Sequence, residues 1–100
     1  MTTAPTTADS SALLLIDDDH ELCAMLRDYL SAEQFAVSVA HDGAAGLQAL
    51  RGAVYAAVVL DITMPVMDGF ECLRQLRGFS NVPVIMLTAR GDEVDRIVGL

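Results

Sequence analysis

An α/β fold with a doubly wound parallel sheet is the architecture this sequence predicts, on three observations. The runs Ala12–Ile16, 57–60 and Val84–Leu87 are short and wholly apolar. Such runs suit strands covered on both faces, as in a parallel sheet between layers of helix. Stretches with apolar residues at helical spacing separate them, joined by short connections, and this alternation implies right-handed crossovers. Each run then stops on a polar residue, Asp17, Asp61 or Thr88. The carboxyl ends of parallel strands are where open α/β sheets place their ligand sites.

Taken in order, residues 1–11 show no periodicity and read as a disordered tail. The strand Ala12–Ile16 runs into Asp17, Asp18 and Asp19. Asp19 is placed to N-cap a helix whose apolar stripe is Leu22, Leu26, Tyr29 and Leu30, with Glu21 favouring the dipole in its first turn. Residues 35–40 carry Val37 and Val39 at period two and predict a short strand. His41, Asp42 and Gly43 make a turn, and 44–50 predict a helix with Leu47 and Leu50 inward.

The strand 57–60 ends on Asp61, and Pro65 stops any continuation because it cannot donate to a ladder. A third helix starts near Asp68, shows Phe70, Leu73, Leu76 and Arg77, and ends at Gly78. Val84–Leu87 follows. A fourth helix opens at Gly91, Asp92 and Glu93, with Val94, Ile97 and Val98 at helical spacing.

One hundred residues bound the chain to a single domain, and 53% hydrophobic residues suffice for a core. The net charge of −8, with only six Lys and Arg, argues against direct nucleic-acid contact by this segment. No apolar run reaches the length of a membrane span, and the first eleven residues lack a signal-peptide pattern. Cys23 and Cys72 have no metal spacing and read as buried free thiols, which fits a cytoplasmic protein.

Asp17, Asp18, Asp61 and Thr88 are delivered to one edge of the sheet by three strand ends. Carboxylates converging in one pocket repel, and a hard divalent cation with oxygen ligands resolves that repulsion. Mg²⁺ fits best, since it uses one or two carboxylates, keeps waters and completes its shell with phosphate oxygens. A carboxylate beside such a site can act as a nucleophile toward phosphorus. The Thr88 hydroxyl and backbone N–H groups after it suit a phosphoryl oxygen.

Three motifs carry a resemblance. They are the run Leu13 to Asp19, the run Asp61-Ile62-Thr63-Met64-Pro65-Val66-Met67-Asp68-Gly69, and the run Pro83 to Ala89. In this order and at these spacings the chain resembles the receiver domain of two-component response regulators over residues 12–100. The stretch Thr88 to Arg96 is similar to the class with a winged-helix DNA-binding output. The resemblance implies a flavodoxin-like (βα)5 fold with strand order 2-1-3-4-5.

It further implies that Asp61 accepts a phosphoryl group from a sensor histidine kinase. Asp18, Asp61 and the Thr63 carbonyl would hold Mg²⁺ directly, with Asp17 acting through water. Thr88 would be the switch hydroxyl, and the Ala89 N–H would meet the phosphoryl group. The role is that of a signalling switch rather than a turnover enzyme. Activation would bring dimerisation through the fourth-helix side, and DNA contact through a C-terminal domain outside this chain. His20, His41, Met64 and Met67 are read as surface or packing residues.

The pattern departs from the family in one place. Receivers use a Lys at the end of a fifth strand, about twenty residues past the switch Thr. This chain contains no Lys and ends at Leu100. The expected fold therefore lacks the fifth βα unit, and the 83–88 strand is expected to present an open edge through which copies associate. Two alternatives stand beside the receiver reading. One is a haloacid-dehalogenase-like phosphatase with Asp17 as nucleophile, for which Glu21 and the Asp61 to Gly69 run fit poorly. The other is a receiver-fold binding module without phosphoryl chemistry.

Overall fold

The apolar runs assemble into one sheet in a computed structural model that describes residues 11–87 and the backbone of 96–98. Strands β1 (Ala12–Ile16), β2 (Ala36–Ala40), β3 (Ala57–Asp61) and β4 (Val84–Leu87) are mutually parallel. A short strand β5 (Arg96–Val98) pairs antiparallel with β4, and the sheet order is β2-β1-β3-β4-β5. Helices α1 (His20–Ala32), α2 (Gly43–Gly52) and α3 (Gly69–Leu76) form the crossovers between the parallel strands.

Strand residues alternate between faces. Leu14, Ile16, Val58, Leu60, Val84 and Met86 share a core cluster with Leu47 and Leu50 of α2 and with Cys72 and Leu76 of α3. Leu15, on the opposite face, is buried outside that cluster, as is Cys23 of α1. Each fully buried Leu or Val contributes about 1.5–3 kcal/mol relative to an exposed one. Burial pushes both free thiols, Cys23 and Cys72, up to about 11, so they stay protonated and pack as small apolar groups.

The Asp19 cap expected of α1 is present, and α2 and α3 start in the same way, with α2 beginning at Gly43 on an Asp42 cap where the sequence suggested only a turn. Asp19, Asp42 and Asp68 each accept a backbone N–H three residues on, from Leu22, Ala45 and Glu71, at 3.0, 2.8 and 2.9 Å. An N-cap carboxylate satisfies a donor the helix cannot use and opposes the positive end of its dipole. Asp42→Ala should therefore cost about 1 kcal/mol, read as a shift of the urea midpoint with unchanged slope.

Several expectations need correction. Tyr29 is 63% exposed, and the inward stripe of α1 turns instead on Cys23, with Leu22, Leu26 and Leu30 half-buried beside it. Cys23 is buried with its thiol donating to the Asp17 carbonyl at 3.4 Å, so this side of α1 faces the end of β1 and Tyr29 lies away from it. Phe70 is 60% exposed, because Gly69, Cys72 and Leu76 form the buried side of α3. The second strand starts at Ala36 rather than Phe35, whose N–H donates to the Leu30 carbonyl and closes the end of α1. Ser11 belongs with the sheet and not with a tail, since its carbonyl accepts from the Ala36 N–H.

The largest correction concerns the fourth helix. Residues 96–98 of it are strand β5, in register Val84↔Val98, Ile85↔Ile97 and Met86↔Arg96; 91–95 lie outside the described residues. Ile and Val are β-branched and favour extended backbone, and β4 offers a row of backbone groups to pair with. Of the open edge expected at 83–88, residues 84–86 are thus occupied, which removes the ground for self-association through them.

Candidate metal and phosphoryl site

The site is built by the carboxyl ends of β1 and β3, which are neighbours in the sheet. Pairing of Ile16 with Leu60 brings Asp17 and Asp61 side by side one residue later. Asp17 and Asp61 are 5% and 7% exposed, while Asp18 is exposed. One carboxylate oxygen from each of Asp17, Asp18 and Asp61 lies within 4.8 Å of the other two. Asp17, Asp18, Asp19, Leu22, Asp61, Thr63 and Leu87 line an open cavity of about 270 Å³.

Local hydrogen bonds fix the two buried acids. Asp19 N–H donates to Asp17 Oδ1 at 2.9 Å, and Thr63 N–H to Asp61 Oδ1 at 3.2 Å. The Asp17 carbonyl accepts from the Cys23 thiol at 3.4 Å and, in its Nδ1–H tautomer, from His41 at 3.1 Å. The His41 ring stacks on His20, with centroids 3.7 Å apart, so these two surface histidines brace the loop after β1.

The β3–α3 loop is held from below. Gly69 N–H donates to the Ile62 carbonyl at 2.8 Å, and a Cβ on Gly69 would run into the Asp61 carbonyl oxygen and stand 2.7 Å from Ile62 Cα. Only glycine allows the loop to close this tightly behind Asp61. Met67 N–H donates to the Pro65 carbonyl at 2.7 Å across Val66, whose φ of 71° is strained for a β-branched residue. Met64 is buried and Met67 partly buried, both as packing residues of the loop.

The electrostatics follow from this geometry. Burial, and then the charges of Asp17 and Asp18, push Asp61 up to about 6 against the lowering effect of the Thr63 N–H. Burial likewise raises Asp17 above its ordinary value, opposed by the Asp19 N–H. Two buried carboxyls beside a third acid therefore resist ionisation together. An oxygen-lined, solvent-open pocket with unrelieved negative charge fits a hard divalent cation such as Mg²⁺.

The structure brings together Asp17, Asp18, Asp61 and Thr63 as expected. Thr88 and Ala89 lie outside the described residues. Sequence reasoning gave Asp19 only a capping role, whereas it also lines the cavity and its N–H holds Asp17. It missed Leu22 and Leu87 as walls, which only the helix and sheet placement reveal.

Comparison with known proteins agrees with this geometry. The chain is 49% identical over 90 residues to a CpxR homologue of Haemophilus influenzae, a transcriptional regulatory protein, covering 90% of this chain and 39% of that one. It is 47% identical over 88 residues to the transcriptional regulatory protein CpxR of Escherichia coli, covering 88% and 38%. The chain thus spans about two fifths of the length of these curated relatives.

Among solved structures, a chemotaxis protein of Vibrio cholerae superposes with a TM-score of 0.77 at 28% identity, over 82% of this chain and 71% of that one. The response regulator TrrA of Thermotoga maritima, solved in complex with Mg²⁺ and BeF, gives a TM-score of 0.76 at 28% identity, over 81% and 71%. Among the described residues no helix is long and apolar enough to cross a membrane. The model of the response regulator receiver domain matches residues 13–100, spanning both the acidic strand ends and the sheet that positions them, and the chain belongs to that family.

Proposed function

We propose that residues 12–100 act as a phosphorylation-dependent signalling receiver in the cytoplasm, with Asp61 as the phosphoacceptor. The observation that carries this reading is the placement of Asp61. It lies 7% exposed at the end of a central strand, with an oxygen within 4.8 Å of those of two other acids, and it lines an open cavity. Asp18, Asp61 and the Thr63 carbonyl would hold Mg²⁺, with Asp17 linked to it through water. When bound, that ion supplies the positive charge that keeps Asp61 ionised at neutral pH and offsets charge on the phosphoryl oxygens.

The Asp61 carboxylate oxygen forms the new bond to phosphorus as the P–N bond of the donor phosphohistidine breaks and its electron pair returns to the imidazole. The Thr63 N–H on Oδ1 orients the attacking group. Thr88 and the Ala89 N–H are assigned to the phosphoryl oxygens and the switch. The donor is a sensor histidine kinase, and the output is a winged-helix DNA-binding domain brought by sequence beyond this chain. That assignment rests on the CpxR-type relatives, named as transcriptional regulators, and on the acidic character of this segment.

The test is labelling by a small phosphoramidate with Mg²⁺, followed by borohydride trapping and mass mapping. One phosphoryl group on Asp61, absent in Asp61→Asn and reduced in Asp18→Asn together with Mg²⁺ affinity, is the expected outcome. Label on Asp17 that survives Asp61→Asn would overturn it in favour of phosphatase-like chemistry. A chain that binds Mg²⁺ yet takes no label would be a binding module instead.

A further inference from the structure

With β4 covered by β5, strand β2 is the outer parallel strand, and nothing pairs with its free side among the described residues. Its sequence, Ala36-Val37-Ser38-Val39-Ala40, reads the same in both directions. It has no charge, no Pro and no positive φ, the usual devices that keep an edge from pairing. We propose that β2 is a self-association edge, pairing antiparallel with β2 of a second copy about a two-fold axis through Ser38.

The hydrogen-bond phase of the strand selects this register. Ala36 N–H donates to Ser11, and the Ala40 carbonyl accepts from Asp17, so residues 36, 38 and 40 direct their backbone groups toward β1. Alternation then turns the N–H and C=O groups of Val37 and Val39 to the open side. Centring the pair on Ser38 sets Val37 opposite Val39 of the second copy, so that each outward-facing residue meets another. Neighbouring registers, centred on residue 37 or 39, leave one of the two valines unmatched within the strand.

Side chains agree with that register. Val37 and Val39 share the face of Leu13 and Leu15, and both are half-buried, so pairing adds cross-strand contact to a partly covered apolar row. Ala36 and Ser38 are exposed, and nothing bulky stands on the axis. The flanks place Phe35, 36% exposed, opposite His41, and Gln34 opposite Asp42, with no like charges directly opposed. The net charge of −8 on each copy opposes approach at long range, so association strengthens as added salt screens it.

Cysteine substitution reads the register directly. At the axis, Ser38 and its mate form a non-hydrogen-bonded pair with Cα atoms about 4.5 Å apart, within disulfide range. Ser38→Cys, incubated folded with oxidised glutathione, should give a covalent dimer on the order of tenfold faster than Ala36→Cys, whose mate lies several residues away. Gln48→Cys, exposed on α2, should be as slow as Ala36→Cys. Cys23 and Cys72 are buried and do not compete.

The unmodified chain should sediment as a monomer–dimer equilibrium at high micromolar concentration, shifted toward dimer by salt, and Ser38→Lys should be monomeric. Equal cross-linking at the three positions would overturn the proposal. So would a chain that stays monomeric throughout, or dimers that persist in Ser38→Lys, which would place association on another surface.

Discussion

Asp61→Asn should make the metal-free chain more stable at pH 7.5, by up to about 3 kcal/mol, while leaving it nearly unchanged at pH 4. In the folded chain Asp61 protonates at about 6, against an ordinary value of 3.8. Between those two values the folded state holds more protons than the unfolded state. Its stability therefore falls as pH rises through that window and levels off above it. Asp17, raised in the same direction, adds to the slope. Asn at position 61 keeps the shape but carries no charge to desolvate. Urea denaturation of both proteins at the two pH values, with chelator present, measures the difference. Millimolar Mg²⁺ should shrink it at pH 7.5 by stabilising only the parent. An Asn variant no more stable than the parent at pH 7.5 would show that the pocket stores no charge repulsion.

The second large effect is expected at Gly69. A methyl group there meets backbone rather than a flexible side chain: the Asp61 carbonyl oxygen and, at 2.7 Å, Ile62 Cα. Neither can rotate away, so the loop or the end of β3 must shift. Gly69→Ala should cost about 3 kcal/mol, at the upper end of ordinary overpacking. The Gly69 N–H bond to Ile62 would be lost with it, and Asp61 would be displaced from Asp17 and Asp18. Gly52, at the end of α2, has nothing within 4 Å of an added Cβ, so Gly52→Ala serves as the control and should be neutral or slightly stabilising. Denaturation midpoints, together with Mg²⁺ titration of both variants, check the pair. Equal stability of the two would mean that the β3–α3 loop is loose rather than held from below.

These two residues also show what kind of information resided where. Asp61 was legible as a site residue because it follows a short, wholly apolar run that reads as a buried strand, and its neighbours in the sheet end on polar groups too. The four parallel strands, the Asp19 cap and the inward positions of Leu47 and Leu50 followed from periodicity and capping chemistry, which act over a few residues. The acidic cluster followed because parallel strand ends all point one way, so topology alone makes them converge.

What only the tertiary structure decided depends on contacts distant in sequence. Tyr29 and Phe70 have apolar bodies at helical spacing, yet which side of a helix is buried is set by distant contacts, of Cys23 with the Asp17 carbonyl and of Gly69 with the end of β3. The raised pKa of Asp61 arises from burial and from charges some forty residues earlier in the chain. The conformation of 96–98 turned on an unpaired edge of β4, because Ile97 and Val98 fit either a helix or a strand until that row of backbone donors and acceptors is in reach. Local chemistry specified the elements and the residues that carry charge. Packing and pairing across the sheet decided which faces were buried, how strongly the acids resist ionisation and which edge stays unpaired among the described residues.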